Sequence, residues 1–512
     1  MRTSYILMIV TIISKVFGLL REKTLAYFFG LSVVADAFLI AFQIPMAFTN
    51  VISGATANGF IPMYNQAIEK NDKDYADRFT ASFTNLIFLI TGIISIILVI
   101  FAKQLVVLMA PGFEGEKLSL SIFMTRMGLL SLSVTSMMSV FKAYLQIKRR
   151  FVVSVVHAIL QNLLMMGFMY FAYKNGYNYL GIGILISFIF QYIIFFPYLK
   201  KEGYRHKILI DFKDPHLKMM MSMILPIIVS TSVIELNFMI SKALASDIES
   251  GVSILNYAYK IQGFVTGIVI TSVITAVYPQ MARHASLNNY EDLKKSTLMG
   301  LSTIMFLVIP ATVGLFIFAG PIVEILFVGG KFTVEDAMKT KPVLALYAIG
   351  LIGIGLREII SRVFYTLDDS KTPVINSVLM VVINAILSLI LVKSRGVEGL
   401  ALATSVSFIL GGILLILPLK KKVGSLIYRK TLVNIIKIAV SSAAMGAASA
   451  ISFKFAASRF GDKLGFLIAL AVAGAVYFIF TFVLKVDEID EFLLKKVILA
   501  KLSLKGGCVS VS

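Results

Sequence analysis

Long apolar runs constrain this chain more than any other feature of its sequence. An α-helix needs about 20 mostly apolar residues to cross the hydrocarbon core of a bilayer. About 14 such runs follow one another along the 512 residues. We therefore predict an all-α integral membrane protein. The predicted spans are residues 5–29, 33–64, 82–109, 118–144, 151–173, 180–199, 219–245, 253–281, 299–319, 343–367, 373–391, 399–419, 432–453 and 464–484.

Composition excludes several other classes of protein. Hydrophobic residues make up 58% of the chain and charged residues only 15%, whereas a soluble domain carries about 25% charged residues. A soluble enzyme cannot hide so much apolar surface, and a disordered chain or a secreted disulfide scaffold is excluded as well. The single cysteine, Cys508, leaves no intrachain disulfide, and the four scattered histidines give no metal-ligand spacing, so we predict no metal site.

The formal net charge of +20 predicts an orientation in the membrane. In a soluble protein it would suggest nucleic acid, but here the basic residues lie mostly in short loops between apolar runs. They indicate the positive-inside rule and contact with membrane lipids, with no nucleic-acid partner. About 25 Lys and Arg fall in one set of loops and about 10 in the other. With an even number of spans, we predict a multi-pass protein with both termini in the cytoplasm.

The two halves of the chain form an internal sequence repeat. A shift of about 217 residues places Pro62 on Pro279, and a shift of about 222 places Asn162 on Asn384. Because six helices separate the related positions, both halves share one orientation, as in two-lobed transporters built from a parallel repeat. The predicted domains are an N-lobe at 1–200, a cytoplasmic linker at 201–218, a C-lobe at 219–422, a final helix pair at 423–484 and a cytoplasmic tail at 485–512.

The linker alternates basic and apolar residues. It either lies along the lipid headgroups or is a solvated connection between the two halves.

Ionisable residues within apolar spans are costly, so they usually line a cavity or pair with one another. The candidates for substrate binding are Lys15, Arg21, Asp36, Lys260 and Arg357. Cations predominate among them, and a cavity lined with fixed cations suits an anion such as phosphate or pyrophosphate. The alternative is that these side chains pair locally or reach the headgroups along their apolar stems.

Three polar residues in otherwise apolar spans form a second candidate site. Glu235, Asn237 and Asn384 carry hard oxygen atoms that suit Na⁺ or a proton, so we predict a coupling-ion site there and no other cofactor. The alternative is a hydrogen bond that holds two helices together.

The middle of the second predicted helix is rich in small and polar residues. Gly54 and Gly59 lie in this stretch and are candidate hinge residues. Close helix packing through small residues explains the same pattern equally well.

Several short motifs resemble the MurJ (MviN) family of lipid II flippases, within the multidrug/oligosaccharidyl-lipid/polysaccharide exporter superfamily. The stretch from Ser14 to Glu22 resembles the family's Ser-Arg-x-x-Gly-x-x-Arg-Asp start. The other motifs keep the family's order: Ala35-Asp36-Ala37-Phe38, Ala41-Phe42-Gln43-Ile44-Pro45, Phe60-Ile61-Pro62, Ala110-Pro111-Gly112-Phe113, Gly330-Lys331-Phe332-Thr333 and Phe364-Tyr365 through Thr372-Pro373.

The resemblance implies fourteen helices in two six-helix lobes, with a final pair that forms a groove for a lipid tail. It implies a bacterial plasma-membrane protein that moves undecaprenyl-pyrophosphate-linked peptidoglycan precursor, lipid II, from the inner to the outer leaflet. The family's cavity cations fall on Lys15, Arg21 and Lys260. The chain departs from the family in the second helix, where Thr49-Asn50 and Gly54-Ala55 replace a frequent Arg pair and an acidic-Gly step.

We therefore predict a lipid II flippase that works by alternating access, with no catalytic residues and with the peptidoglycan synthesis machinery as a candidate partner. No phosphate-binding P-loop motif is present, so the membrane potential or an ion gradient is the expected driver. The alternatives are a flippase for another polyprenyl-linked oligosaccharide and a cation-coupled drug exporter of the same superfamily. A membrane glycosyltransferase would need catalytic carboxylates and a long external domain.

Overall fold

A computed structural model describes residues 2–70, 72–424 and 429–489, and these residues are almost entirely helical. Within those ranges no β-strand forms, which confirms the all-α prediction. The helices are α1 (Arg2–Phe29), α2 (Val33–Lys70), α3 (Lys73–Ile100), α4 (Ala102–Met109), α5 (Gly115–Leu130), α6 (Leu132–Ile147), α7 (Val153–Asn175), α8 (Asn178–Phe190), α9 (Phe195–Lys201), α10 (Pro215–Ala245), α11 (Gly251–Ser286), α12 (Tyr290–Ile317), α13 (Ala319–Phe327), α14 (Val334–Thr366), α15 (Lys371–Val423), α16 (Arg429–Phe460) and α17 (Asp462–Val483), with a 3₁₀ turn at Gln191–Ile194.

Ten helices in the described part of the chain are long and apolar enough to cross a membrane. The count is eleven if α5 and α6, which meet at 43°, form one bent span. Helix α15 is 53 residues long and contains two of the predicted spans. They are separated by a kink at Gly396, where the backbone leaves the helical region (φ 56°, ψ −132°). Each of the fourteen predicted spans coincides with one or more of these helices, so the architecture is consistent with the predicted number.

Side chains just before the helices determine where several of them begin. Asp72 accepts a hydrogen bond of 2.7 Å from the backbone N–H of Tyr75 and caps α3. Asp214 caps α10 in the same way, and Pro215 follows as the first helical residue, where its missing N–H is harmless. Polar caps therefore separate long apolar helices that have no other internal stop signal.

The described residues pack into two compact units, and each is described by itself. The first unit runs to Phe264 and also includes Leu326–Val343 and Ser377–Ala403. An apolar cluster in this unit joins α2, α3 and α6, where the rings of Phe79 and Phe83 stack on Phe60 at 5.7 and 5.8 Å.

The second unit consists of Val265–Ile325, Leu344–Asn376 and the chain from Thr404 onwards. Helices α16 and α17 pack closely there, since a Cβ atom on Gly465 would lie 2.7 Å from the backbone nitrogen of Ala457. The hydroxyl of Tyr477 donates to the carbonyl of Phe306 at 2.5 Å and ties α17 to α12.

The lobe and linker boundaries at 200, 218 and 422 stay predictions. Of the predicted tail, residues 490–512, which include Cys508, lie outside the described residues.

Candidate functional site

Adjacent residues of opposite charge, Arg21 and Glu22, form the centre of the candidate site in the first unit. The Nη2 atom of Arg21 lies 2.5 Å from Oε1 of Glu22, and the two side chains are only 10% and 2% exposed. The guanidinium also lies over the ring of Phe42, 4.5 Å from its centroid. Part of the charge of Arg21 is therefore compensated within its own helix, as the local-pairing alternative predicted.

Helix α11 contributes to the same place from a distant part of the chain. Asn256 donates a hydrogen bond of 2.9 Å to Oε2 of Glu22. Lys260 follows Asn256 by four residues, so the two side chains share one face of α11. Glu22, Arg21 and Lys15 are all close enough to act electrostatically on Lys260. The structure thus brings together the three cations that the sequence suggested for one cavity.

A fourth cation, Lys242 of α10, belongs to this group. Its charge interacts with those of Lys260, Glu22 and Arg21. We call Lys15, Arg21, Lys242 and Lys260 the cation cluster. Its three lysines are partly buried, and within the described ranges none of them forms a hydrogen bond or an ion pair. The cluster therefore has ammonium groups whose hydrogen-bond donors no described residue uses, although Glu22 acts electrostatically on Lys242 and Lys260.

Asp36 has an ion-pair partner of its own, although its charge also acts on Lys242 of the cation cluster. Its carboxylate is fully buried and lies 2.6 Å from the ammonium of Lys117. It also accepts bonds from the backbone N–H (2.8 Å) and the hydroxyl of Ser253, the third residue of α11. A carboxylate at a helix N-terminus satisfies N–H groups that have no partner in the helix. These contacts show what holds Asp36, and its predicted role in substrate binding stays a prediction.

The structure brings together two of the three residues suggested for a coupling ion. Asn384 of α15 donates to Oδ1 of Asn237 at 2.6 Å and lies 3.3 Å from the hydroxyl of Ser241. Glu235 instead accepts a hydrogen bond of 3.1 Å from Asn50 of α2. Residues two apart on a helix face different directions, which is why Glu235 and Asn237 have different partners.

The two hinge candidates lie inside continuous helix. Helix α2 passes through Gly54 and Gly59 without a break, and its two prolines are Pro45 and Pro62. Gly54 is partly exposed and Gly59 is buried. Whether α2 bends at either glycine stays a prediction.

Arg357 belongs to the second unit. It lies in α14, where its guanidinium is 3.5 Å from Oε1 of Glu358, and Arg362 lies 3.5 Å from the other oxygen of the same carboxylate. Glu358 is thus shared between two arginines, one of which follows it by a single helical turn. This arrangement resembles local pairing more than an open anion site.

Two residues that contact or complete the cluster are not among the substrate-binding candidates from the sequence. Lys242 stands out in the sequence as a lysine within a predicted span, but it has no counterpart in the motifs that drew attention to the others. Asn256 lies one turn before Lys260, and that spacing was the only available hint of its bond to Glu22. Among the described residues, no three His, Cys, Asp or Glu side chains converge as a metal site would require.

Comparisons with known proteins agree with this architecture. The profile of the family described as "Lipid II flippase MurJ" matches residues 25–472. A "Probable lipid II flippase MurJ" from Rickettsia prowazekii is 29% identical over 411 residues, which cover 79% of this chain and 81% of that protein. A protein with the same description from Rhizobium tropici is 27% identical and covers 93% of this chain and 92% of its own length.

Solved structures give the same result. "Lipid II flippase MurJ, inward closed conformation" superposes with a TM-score of 0.82 at 25% identity, covering 94% of this chain and 99% of that one. An inward-facing multidrug resistance transporter of the MATE family has a TM-score of 0.68 at 18% identity and covers 81% and 95% of the two chains. The second likeness concerns the fold alone.

Proposed function

This chain belongs to the lipid II flippase MurJ family, and from that premise we propose that its cation cluster holds the diphosphate of lipid II during alternating access. The chain is a multi-span membrane transporter and not an enzyme. What it carries is lipid II, and the proposal concerns how the headgroup is held. A diphosphate bears about two to three negative charges and cannot cross hydrocarbon without compensation.

The observation that supports this proposal is the lack of ion-pair partners for the lysines of the cluster. The carboxylates that act electrostatically on Lys242 or Lys260 are those of Glu22, Asp36 and Glu235, and each of them already has another hydrogen-bond or ion-pair partner. The ammonium groups of Lys15, Lys242 and Lys260 have no ion-pair partner among the described residues. An oxyanion that enters this group would accept charge-assisted hydrogen bonds from several directions at once.

We further propose how the rest of the substrate is accommodated. The polyprenyl tail stays in lipid against the groove expected from α16 and α17, while the headgroup passes through the protein. Both termini face the cytoplasm, as the distribution of basic loops suggests. The driver is the membrane potential or a gradient of Na⁺ or H⁺. A contact with the peptidoglycan synthesis machinery belongs to the same proposal.

Substitution of Lys260 tests the role of the cluster. Lys260→Ala removes one donor and one charge, and a charge-assisted hydrogen bond is worth about 1.5–3 kcal/mol, or roughly 10- to 150-fold in an equilibrium constant. We expect flipping to fall by that order, and Lys260→Arg to retain most of it because the charge remains. The measurement is outer-leaflet exposure of labelled lipid II in cells that contain each variant at matched protein levels.

Lys73→Ala is the matched control, because Lys73 is exposed and, among the residues that the structure describes, bonds only to the backbone carbonyl of Glu202. It should leave lipid II exposure unchanged. Normal exposure in both Lys260→Ala and Arg21→Ala would overturn the proposal that the cluster holds the headgroup. Rescue of a lipid II flippase depletion strain by the unmodified chain separates lipid II from other polyprenyl-linked oligosaccharides as the substrate.

A further inference from the structure

A second polar cavity lies within the first unit, among α2, α6, α7 and the 3₁₀ turn. Its volume is about 90 Å³, and no member of the cation cluster lines it. The polar side chains on which the argument rests are Ser53, Lys142, His157, Gln161 and Gln191. Thr49 and Asn50, which stand where the family frequently has an Arg pair, also line this cavity.

The charge of the cavity is unbalanced. Lys142 is the one cation that lines it, and no carboxylate does. Lys142 is partly buried, and in the part of the chain that the structure describes it forms no hydrogen bond or ion pair. A lysine within a membrane-spanning helix is costly unless its charge is compensated, and such residues usually mark a path or a ligand.

Two neutral lining groups also have donors that the protein does not use. Gln161 is only 7% exposed, and among the described residues neither its amide nor the hydroxyl of Ser53 forms a hydrogen bond. Buried amides are normally satisfied by protein or by ordered ligands. The amide of Gln161, the hydroxyl of Ser53 and the ammonium of Lys142 therefore line one small cavity. Each has a hydrogen-bond donor that no described protein group accepts.

The protonation of His157 follows from its partner. The Nε2 atom of Gln191 donates to the carbonyl of Phe188 at 3.1 Å, which leaves its Oε1 to accept from Nδ1 of His157 at 2.9 Å. The Nδ1 atom thus carries a proton within this hydrogen-bond network, and His157 stacks on Tyr192 with ring centroids 5.2 Å apart. The imidazole is held in place by the protein and does not supply a negative charge to Lys142.

We propose that this cavity binds one small monovalent anion of the chloride class, with Lys142 as its counter-charge and Ser53 and Gln161 as hydrogen-bond donors. About 10–15 Å³ of cavity volume measured with a water-sized probe is enough for one water, so 90 Å³ accommodates a halide ion together with its hydrating waters. The single positive charge of Lys142 matches one monovalent anion. The proposal is independent of how lipid II is held.

The site adjoins a contact between two helices. Asn50 lines the cavity and also donates to Glu235 of α10. Asn50 therefore lies between an anion in the cavity and Glu235. The charge of that anion would alter the free energy of ionising Glu235. Occupancy would in this way bias the position of α2.

Bromide, which replaces chloride and scatters anomalously, is a direct probe of the site. Crystals of the full chain grown or soaked in sodium bromide should show an anomalous peak beside Lys142, and Lys142→Met should lose it. In detergent, replacing gluconate by chloride should raise the thermal unfolding temperature of the unmodified chain, and this increase should shrink in Lys142→Met. Lys103→Met is the matched control, because Lys103 is an exposed lysine on α4.

Three results would overturn the proposal: no bromide in this cavity of the unmodified chain, a bromide peak that persists in Lys142→Met, or an equal loss of the chloride effect in Lys103→Met. Bromide beside Lys260 does not count, since it reports the cation cluster. If Lys142→Met does not fold, Gln161→Met takes its place, because this variant keeps the charge of Lys142 and removes one hydrogen-bond donor. Gln161→Met should lower the bromide occupancy relative to the unmodified chain, and unchanged occupancy counts against the site.

Discussion

The side-chain amide of Asn256 donates a hydrogen bond of 2.9 Å to the carboxylate of Glu22, although 234 residues separate them in the chain. This bond and the Arg21 guanidinium together satisfy a carboxylate that is only 1% exposed. Lys260 lies one turn beyond Asn256 and therefore on the same face of α11. The bond thus turns the face that carries Lys260 towards Glu22.

Asn256→Leu keeps the number and branching of the side-chain heavy atoms and removes the amide. We expect a loss of about 1.5–3 kcal/mol in stability, since a buried carboxylate loses a charge-assisted bond, together with impaired lipid II flipping. Thermal unfolding in detergent measures the first effect. Asn175→Leu is the control, because the Asn175 amide bonds only within its own helix at an exposed position. Equal destabilisation by both changes would contradict the role of the Glu22 bond.

Gly330 is a position where close approach and backbone conformation both require glycine. Its φ is +59°, and a Cβ atom there would lie 2.2 Å from the carbonyl oxygen of Tyr27. Gly115 has a similar φ of +53° with nothing within 4 Å, so Gly115→Ala measures the backbone strain alone, about 1–2 kcal/mol. Gly330→Ala should cost about 1–3 kcal/mol more through overpacking. Equal unfolding temperatures of the two variants would contradict this prediction.

Asp369 predicts a pH dependence of stability. The Lys422 ammonium at 2.7 Å, aided by the N–H of Thr372, lowers the pKa of Asp369 to about 2, whereas an unfolded aspartate has a pKa near 3.9. A lowered pKa means that the stabilisation is present above about pH 4 and is lost as the pH falls towards 2. Asp369→Asn should therefore cost about 0.5–1 kcal/mol at pH 7, because Lys422 is partly solvated.

Thermal unfolding of the Asp369→Asn variant between pH 7 and pH 3 checks this expectation. The difference from the unmodified chain should narrow as the pH falls. Asp368→Asn is the neighbouring exposed control and should show no such trend. A difference that stays constant down to pH 3 would count against the ion pair.

Glu235→Gln tests whether an ion is coupled to transport at this residue. Glutamine keeps an acceptor for the Asn50 amide but removes the negative charge that would attract Na⁺ or a proton. Lipid II flipping should lose its dependence on sodium or on pH. At the optimal sodium concentration or pH, its rate should fall roughly five- to tenfold, as expected for a coupling energy near 1 kcal/mol. Asn50→Ala, which removes the hydrogen bond and keeps the charge, should retain that dependence. If Glu235→Gln behaves as the unmodified chain across both titrations, Glu235 does not couple an ion.

The sequence by itself determined the class of the molecule and the positions of its helices. Long apolar runs must become helices in lipid, because every backbone polar group needs an internal partner there. That requirement is local, so each span predicted from hydropathy coincides with helix in the structure, including the two that α15 joins across Gly396. The motifs around Arg21 and Lys371 were local as well, and they identified the family.

Only the tertiary structure decided which polar groups meet. Glu235, Asn237 and Asn384 were predicted to hold an ion together; the structure joins Asn384 to Asn237, while Glu235 bonds to Asn50 on α2. Lys142 drew no attention in the sequence, and its significance depends on a cavity to which four helices and the 3₁₀ turn contribute. Hydropathy shows that a polar side chain in a span needs a partner but not which one, because partners are chosen by the packing of helices that lie far apart in the chain.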